Sequence, residues 1–332
     1  MEGTRQKPIA VLGAGSWGTA LALHLARLGN PVRLWTIESD HVPEMSAERT
    51  NKRYLASFPF PDTLQPFSDL AETIAAVDDI LVAVPSVGFR DTLTLLKPML
   101  KPNMKVVWAT KGLDMGNGQL LHDIVTDVLG KHFPCAVLSG PSFAKEVAEG
   151  LPTAVVIASH DTVFAKHLFS RFNSPQFRVF LSTDIAGVEI GGVVKNVMAI
   201  ATGISDGMKL GANARCALIT LGLAEMMRLG LALGGQSETI TGLAGLGDLV
   251  LTCTDDQSRN RRFGLALGRG QDIAGAEREI GHVVEGKRNA ELVIQLAKTH
   301  NVDMPISEMV WSILQGKLSA ADAMQNLLTQ PG

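Results

Sequence analysis

Residues 9–30 read IAVLGAGSWGTALALHLARLGN: four apolar residues, glycines at 13, 15 and 18, and then an apolar helical run. GxGxxG between a strand and a helix is the pattern of a dinucleotide-binding βαβ unit. Gly13 permits the tight turn, Gly15 lets a pyrophosphate approach the backbone, and Gly18 lets helix and strand pack, while the helix N-terminus supplies partial positive charge. Working outward, apolar runs recur at 32–35 (VRLW), 80–84 (ILVAV), 106–110 (VVWAT), 136–140 (AVLSG), 154–158 (AVVIA) and 177–181 (FRVFL), with helical spacers between them. Continuous runs suit strands covered on both faces, so residues 1–187 are expected to form an α/β Rossmann domain with a doubly wound, mostly parallel sheet. From Asp184 onward the periodicity turns helical, as in 213–230, 287–300 and 307–315. The last of these is expected to start on Ser307 as N-cap and to close at Gly316. Residues 188–332 thus read as an all-α domain, joined without a Pro/Ser-rich linker.

Composition narrows the function. The 332 residues are 46% hydrophobic and 19% charged, an ordinary globular balance. A net charge of −3, 5% aromatics and a single Tyr give no basic footprint and few stacking platforms, so nucleic acid is not an expected partner. Cys135, Cys216 and Cys253 form no CxxC pattern and the eight histidines are scattered, so neither a disulfide framework nor a metal site is expected. The leader MEGTRQKP runs into the first strand without a signal-peptide pattern, and charges interrupt the candidates for a span of ~18 apolar residues. A cytoplasmic protein without stable membrane insertion is the expectation.

The chemistry-bearing residues fall into four groups. Between Glu189 and Asp206 the only charged side chain is Lys195, in IGGVVKNVMAIATGIS. Desolvation lowers the pKa of a lysine and suits it to proton exchange, although its stem can also pack inside while the ammonium reaches water. Gly191 and Gly192 precede it by about one turn, at a cost of roughly 1 kcal/mol each in a helix interior, and close approach by a cofactor or by the first domain would explain them. Asn196 adds a neutral donor and acceptor beside the lysine. In TGLAGLGDLVL, Asp248 is a carboxylate among apolar residues that wants a cationic partner, for which Lys195 is the obvious candidate. Lys111 follows VVWAT, and Gly140 to Ser142 follow AVLSG, at the carboxyl ends of strands where open parallel sheets bind ligands. Ser258 can cap a helix SRNRRFGLALG that places Arg259, Arg261 and Arg262 in its first turn, an arrangement suited either to a phosphate or to neutralisation by Asp255 and Asp256. At the end of the second strand Trp35 and Thr36 stand where a ribose-binding acid belongs. Glu38 comes late and Arg33 is nearby, so the cofactor reads as NAD(P) without a choice between the two.

In order along nearly the whole chain, GAGSWGTA, ATKGLD, SGPSFAKEVA, GGVVKNVMAIATGISDG, GANARCALIT, GLAGLGDLVLTCT and QSRNRRFG resemble the bacterial-type NAD(P)-dependent glycerol-3-phosphate dehydrogenases. The resemblance implies a cytosolic enzyme, usually a homodimer, that interconverts dihydroxyacetone phosphate and sn-glycerol 3-phosphate for phospholipid synthesis. By the same resemblance Lys195 is the proton donor and acceptor, and Lys111 and Asp248 contact the substrate. Gly140, Ser142, Asn196, Ser258, Arg259 and Asn260 are further substrate positions. Gly13, Gly15, Ser16, Trp17, Gly18, Lys111, Ala144, Arg259, Val283 and Glu285 are cofactor positions. A related 3-hydroxy acid dehydrogenase and a dinucleotide-binding redox sensor are the alternative readings.

Overall fold

Short apolar runs become strands here because each is covered on both faces, and the glycine-rich turn joins the first strand to the first helix. The structure, a computed structural model, describes residues 6–281 and 284–323. Its strands are β1 (Ile9–Leu12), β2 (Val32–Trp35), β3 (Thr50–Asn51), β4 (Ala56–Pro59), β5 (Leu64–Phe67), β6 (Asp79–Val82), β7 (Lys105–Trp108), β8 (Cys135–Ser139), β9 (Thr153–Ala158) and β10 (Phe177–Ser182). Around them lie α1 (Ser16–Arg27), α2 (His41–Glu48), α3 (Lys52–Leu55), α4 (Leu70–Ile74), α5 (Phe89–Leu96), α6 (Leu121–Leu129), α7 (Ala144–Glu149) and α8 (Thr162–Phe172). The helical part comprises α9 (Ile185–Gly207), α10 (Gly211–Ala232), α11 (Ser237–Ile240), α12 (Asp248–Thr254), α13 (Arg259–Gly268), α14 (Ile273–Ile280), α15 (Glu285–Thr299) and α16 (Pro305–Leu314).

The main sheet has the order β10-β9-β8-β7-β6-β1-β2-β5. From β5 through β8 every pair is parallel, in the order of a dinucleotide-binding fold with its switch point beside β1. β9 departs from the expected crossover and runs antiparallel to β8, because residues 140–152 hold only the short α7 and the chain turns straight back. β10 then pairs parallel with β9 after α8. All four residues of β1 are fully buried, and with Leu21, Leu23, Leu25, Leu138, Ile157, Phe164 and Phe172 they form the centre of the α/β core. β5 lies at the sheet edge, where Pro66 removes an N–H that no ladder needs.

Contacts divide the chain into two compact units. One contains the chain up to Asp114 together with Leu121–Ile185, and the other contains Met115–Leu120 and everything from Ala186 onward. α9 is long and apolar enough to cross a membrane by length and composition, but 94% of its apolar window is buried inside the protein, as in the central helix of a helical bundle.

α16 starts three residues earlier than an N-cap at Ser307 would place it, with Met304 in the cap position. Pro305 occupies the first turn, and Ser307 lies inside the helix with its hydroxyl donating to Glu225 Oε2 at 2.8 Å. The free amides of that turn are capped by a side chain from α10. Glu225, almost completely buried, accepts from Ile306 N at 2.5 Å and Ser307 N at 3.2 Å, while burial holds its carboxyl above the usual carboxylate range. Glu225→Ala should strand two amides and a hydroxyl and lower stability by about 3 kcal/mol. The check is a denaturant midpoint that falls at unchanged slope.

Candidate active site

In the α/β unit, the turn after β1 fits a bound pyrophosphate. Gly13 has φ +114°, and a Cβ there would stand 2.8 Å from the Ala83 carbonyl. A Cβ on Gly18 would overlap the Gly13 carbonyl, so these two glycines are required by packing. At Gly15 nothing lies within 4 Å, which leaves the backbone open to a ligand. Gly15 is the N-cap of α1, no side chain caps that helix, and its first turn contains no acid, so its amides and positive end face outward for an anion. Ser16 Oγ donates to Tyr54 O at 2.8 Å, and the buried Trp17 Nε1 has no hydrogen-bond acceptor. Farther along the sheet, Lys111 Nζ donates to Gly140 O at 3.2 Å and Ser142 Oγ donates to the same oxygen at 3.0 Å, so these three expected substrate positions meet on one carbonyl. Ala144 opens α7.

In the helical unit, the lysine and the aspartate come together. Lys195 is 7% exposed and Asp248 1%, and Lys195 Nζ stands 2.5 Å from Asp248 Oδ1. Backbone contact sets this register. A Cβ at Gly191 would overlap the Ala244 carbonyl oxygen and approach Gly245 Cα to 3.0 Å. Gly191 therefore admits the π-helical turn Leu243–Gly247, which corrects the expectation that a cofactor or the first domain would fill the space. One turn on from each side of this contact stand Lys195 and Asp248. The Asp248 carbonyl accepts Thr252 Oγ1 at 2.6 Å. Cys253, in the same helix, is pushed up to about 12 by burial and stays a protonated thiol, outside the acid–base chemistry.

A second close contact positions α13. Cβ atoms at Gly203 and Gly264 would overlap the carbonyls of Arg261 and Ile200, and the next pair, Gly207 and Gly268, repeats the contact one turn along. With the backbones this near, Asn260 Nδ2 donates to Asn196 Oδ1 at 2.9 Å, and Asn260 Oδ1 accepts Gly286 N at 2.9 Å. Ser258 caps α13 as expected, its Oγ accepting from Arg261 N. The arginine fork needs correction at one position. Arg261 is buried and pairs with Asp206 at 2.5 Å and Asp256 at 2.9 Å, so it is structural. Arg259 and Arg262 remain exposed at the same helix end, and Asp255 is turned to its own loop, accepting from Gln257 N. Glu285 opens α15, next to Gly286, whose amide no motif in the chain singles out. Val283 lies outside the described residues. Among the described residues no group of His, Cys, Asp and Glu could hold a metal ion.

Comparison with known proteins adds a family to this geometry. Residues 8–165 match the family model described as NAD-dependent glycerol-3-phosphate dehydrogenase N-terminus, and residues 184–325 match the one for its C-terminus. An NAD(P)+ glycerol-3-phosphate dehydrogenase from Coxiella burnetii (strain RSA 331 / Henzerling II) is 55% identical over 321 residues, covering 97% of this chain and 96% of its own. The crystal structure of glycerol-3-phosphate dehydrogenase from Coxiella burnetii superimposes with a TM-score of 0.95 at 54% identity, over 98% of this chain and 99% of that one. A glycerol-3-phosphate dehydrogenase structure from Saccharomyces cerevisiae keeps a TM-score of 0.84 at 26% identity, over 98% and 100% of the two chains. With both halves matched in sequence order and relatives alike from end to end, the chain belongs to the NAD-dependent glycerol-3-phosphate dehydrogenase family.

Proposed function

We propose that the protein interconverts dihydroxyacetone phosphate and sn-glycerol 3-phosphate with NAD(P)(H), in the cytoplasm and as a homodimer, in the service of phospholipid synthesis. The observation that carries this reading is a buried lysine–carboxylate pair in the same helical unit as an exposed arginine on a serine-capped helix end. When bound, the reduced nicotinamide supplies hydride to the C2 carbonyl carbon. Gly13, Gly15, Ser16, Trp17 and Gly18 hold the dinucleotide, with Lys111, Ala144, Arg259 and Glu285 completing its contacts. Lys195 donates a hydrogen bond to the substrate carbonyl oxygen and gives it a proton as negative charge develops there; in reverse, the neutral amine takes the alcohol proton. Asp248 orients the ammonium and favours its charged form. Arg259, with Ser258 and the first amides of α13, takes the phosphate, and the Asn260–Asn196 bond fixes that helix end relative to Lys195. Lys111, Gly140 and Ser142 are further substrate contacts. Binding energy from the phosphate then orients a carbonyl several bonds away.

The test is consumption of reduced cofactor, followed by absorbance, with dihydroxyacetone phosphate and with a keto acid that lacks phosphate. The phosphate ester is expected to be the preferred substrate, and Arg259→Ala to raise its KM about 10- to 100-fold with a smaller change in kcat. Preference for the keto acid would refute this reading in favour of a 3-hydroxy acid dehydrogenase. Binding of the dinucleotide with no turnover of either substrate would favour a sensor.

A further inference from the structure

An ion-pair network at the last turn of α9 reaches the first turn of α13, and its meaning rests on the reading above that Ser258 and Arg259 take the substrate phosphate. Lys195 and Asp206 lie on one continuous helix, about three turns apart and on the same side of it, roughly 16 Å along the axis. The Asp206 carboxylate, 11% exposed, accepts Arg261 Nη1 from α13 at 2.5 Å and Arg215 Nη1 from α10 at 2.8 Å. Arg261 also donates from Nη1 to Cys253 O at 3.3 Å, in the helix that opens on Asp248, and from Nε to Asp256 Oδ1 at 2.9 Å. One guanidinium thereby touches both the helix of Lys195 and the helix of its carboxylate partner.

Helix electrostatics explain why these charges pair across helices. An acid in the last turn of a helix and a cation in the first turn both oppose the macrodipole. Asp206 and Arg261 each occupy the unfavourable end of its own helix, and each compensates the other. Burial of Arg261 reinforces the pairing, because a guanidinium left alone out of water is far costlier than a paired one. The glycine contacts set how near α13 lies to α9, whereas a directional bond is needed to set where along α9 it stops. The Asn260–Asn196 bond is one, and Asp206–Arg261 is a second that carries charge. Arg261 N in turn donates to Ser258 Oγ at 3.2 Å, so a shift of Arg261 carries the cap and Arg259 with it.

We propose that Asp206 is a positioning residue of this enzyme: by holding Arg261 it sets the distance between Lys195 and the phosphate taken by Ser258 and Arg259, with no contact of its own to substrate. A substrate without phosphate has no use for that distance. The experiment therefore compares dihydroxyacetone phosphate with dihydroxyacetone as substrates, at saturating reduced cofactor, in the wild type, Asp206→Ala and Asp206→Asn. Thermal unfolding and Kd for NADH identify the variants that are folded. Asp206→Ala is expected to raise KM for the phosphate ester about 10- to 30-fold with a smaller fall in kcat, and to leave kcat/KM for dihydroxyacetone within about three-fold. Asp206→Asn keeps the shape and an oxygen for one guanidinium, so it is expected to fall between wild type and Asp206→Ala. Should the alanine variant not fold, the same comparison is read from Asp206→Asn. Equal losses on the two substrates would mark a general weakening of the helical unit and overturn the assignment, as would an unmoved KM in a folded variant. A wild-type enzyme that does not prefer the phosphate ester to dihydroxyacetone would overturn the functional reading, and the role of Asp206 with it.

Discussion

Lys195→Met should lower kcat for carbonyl reduction by about 10³-fold, within the range for removal of a positioned general acid, and leave Kd for NADH within a few-fold. The expectation follows from position. The ammonium is 7% exposed and its Asp248 partner 1%, so water cannot easily replace it as proton donor at that point. Removing one partner of a buried pair also leaves a charge uncompensated, at a cost of about 3–5 kcal/mol, so the single variant must be compared at a temperature where it is folded. Lys195→Met combined with Asp248→Leu separates the two effects. A melting temperature that recovers while turnover stays lost assigns the defect to chemistry. A Lys195→Met enzyme that keeps most of its turnover would remove the lysine from the mechanism.

Gly264→Ala should cost about 3 kcal/mol or more and lower kcat/KM for dihydroxyacetone phosphate roughly 100-fold, an unusual result for one methyl group on a helix. Elsewhere alanine is the better helix former, and glycine to alanine in a helix interior stabilises by about 1 kcal/mol. At this position the new Cβ would overlap the Ile200 carbonyl and stand 3.0 Å from Gly203 Cα, both backbone, so no rotamer change relieves it and α9 and α13 must separate. Separation stretches the 2.9 Å Asn260–Asn196 bond and moves Ser258 and Arg259 away from Lys195. Thermal unfolding together with KM for the substrate tests both parts. An unchanged melting temperature would show that the helices have room to spare.

Much of the fold was legible because period and burial agree. Seven apolar runs became strands of the main sheet, and the apolar stretch around Lys195 became the interior of α9. What escaped was set by residues distant in the chain. β5 carries Pro66, which argues against a strand until the segment is known to lie at an edge. Ser307 had the local pattern of an N-cap, but Glu225, distant in sequence, supplies the acceptor. At the candidate site the sequence paired Lys195 with Asp248 from chemistry alone, since each needed the other. It could not divide the labour among the three arginines of α13, because Asp206, the partner that buries Arg261, lies on another helix. The partners of Glu38 were likewise hidden, since Tyr54 and Arg53 reach it only after the chain has folded back.

Residues 115–120 belong with the helical half although they are threaded between two stretches of the α/β half, and Gly118 touches Leu292 of α15. The chain consequently passes from one half to the other three times. Recombination at a single junction near residue 185 would deliver a helical half missing one of its own strips, so shuffling of these halves between enzymes calls for two grafts made together.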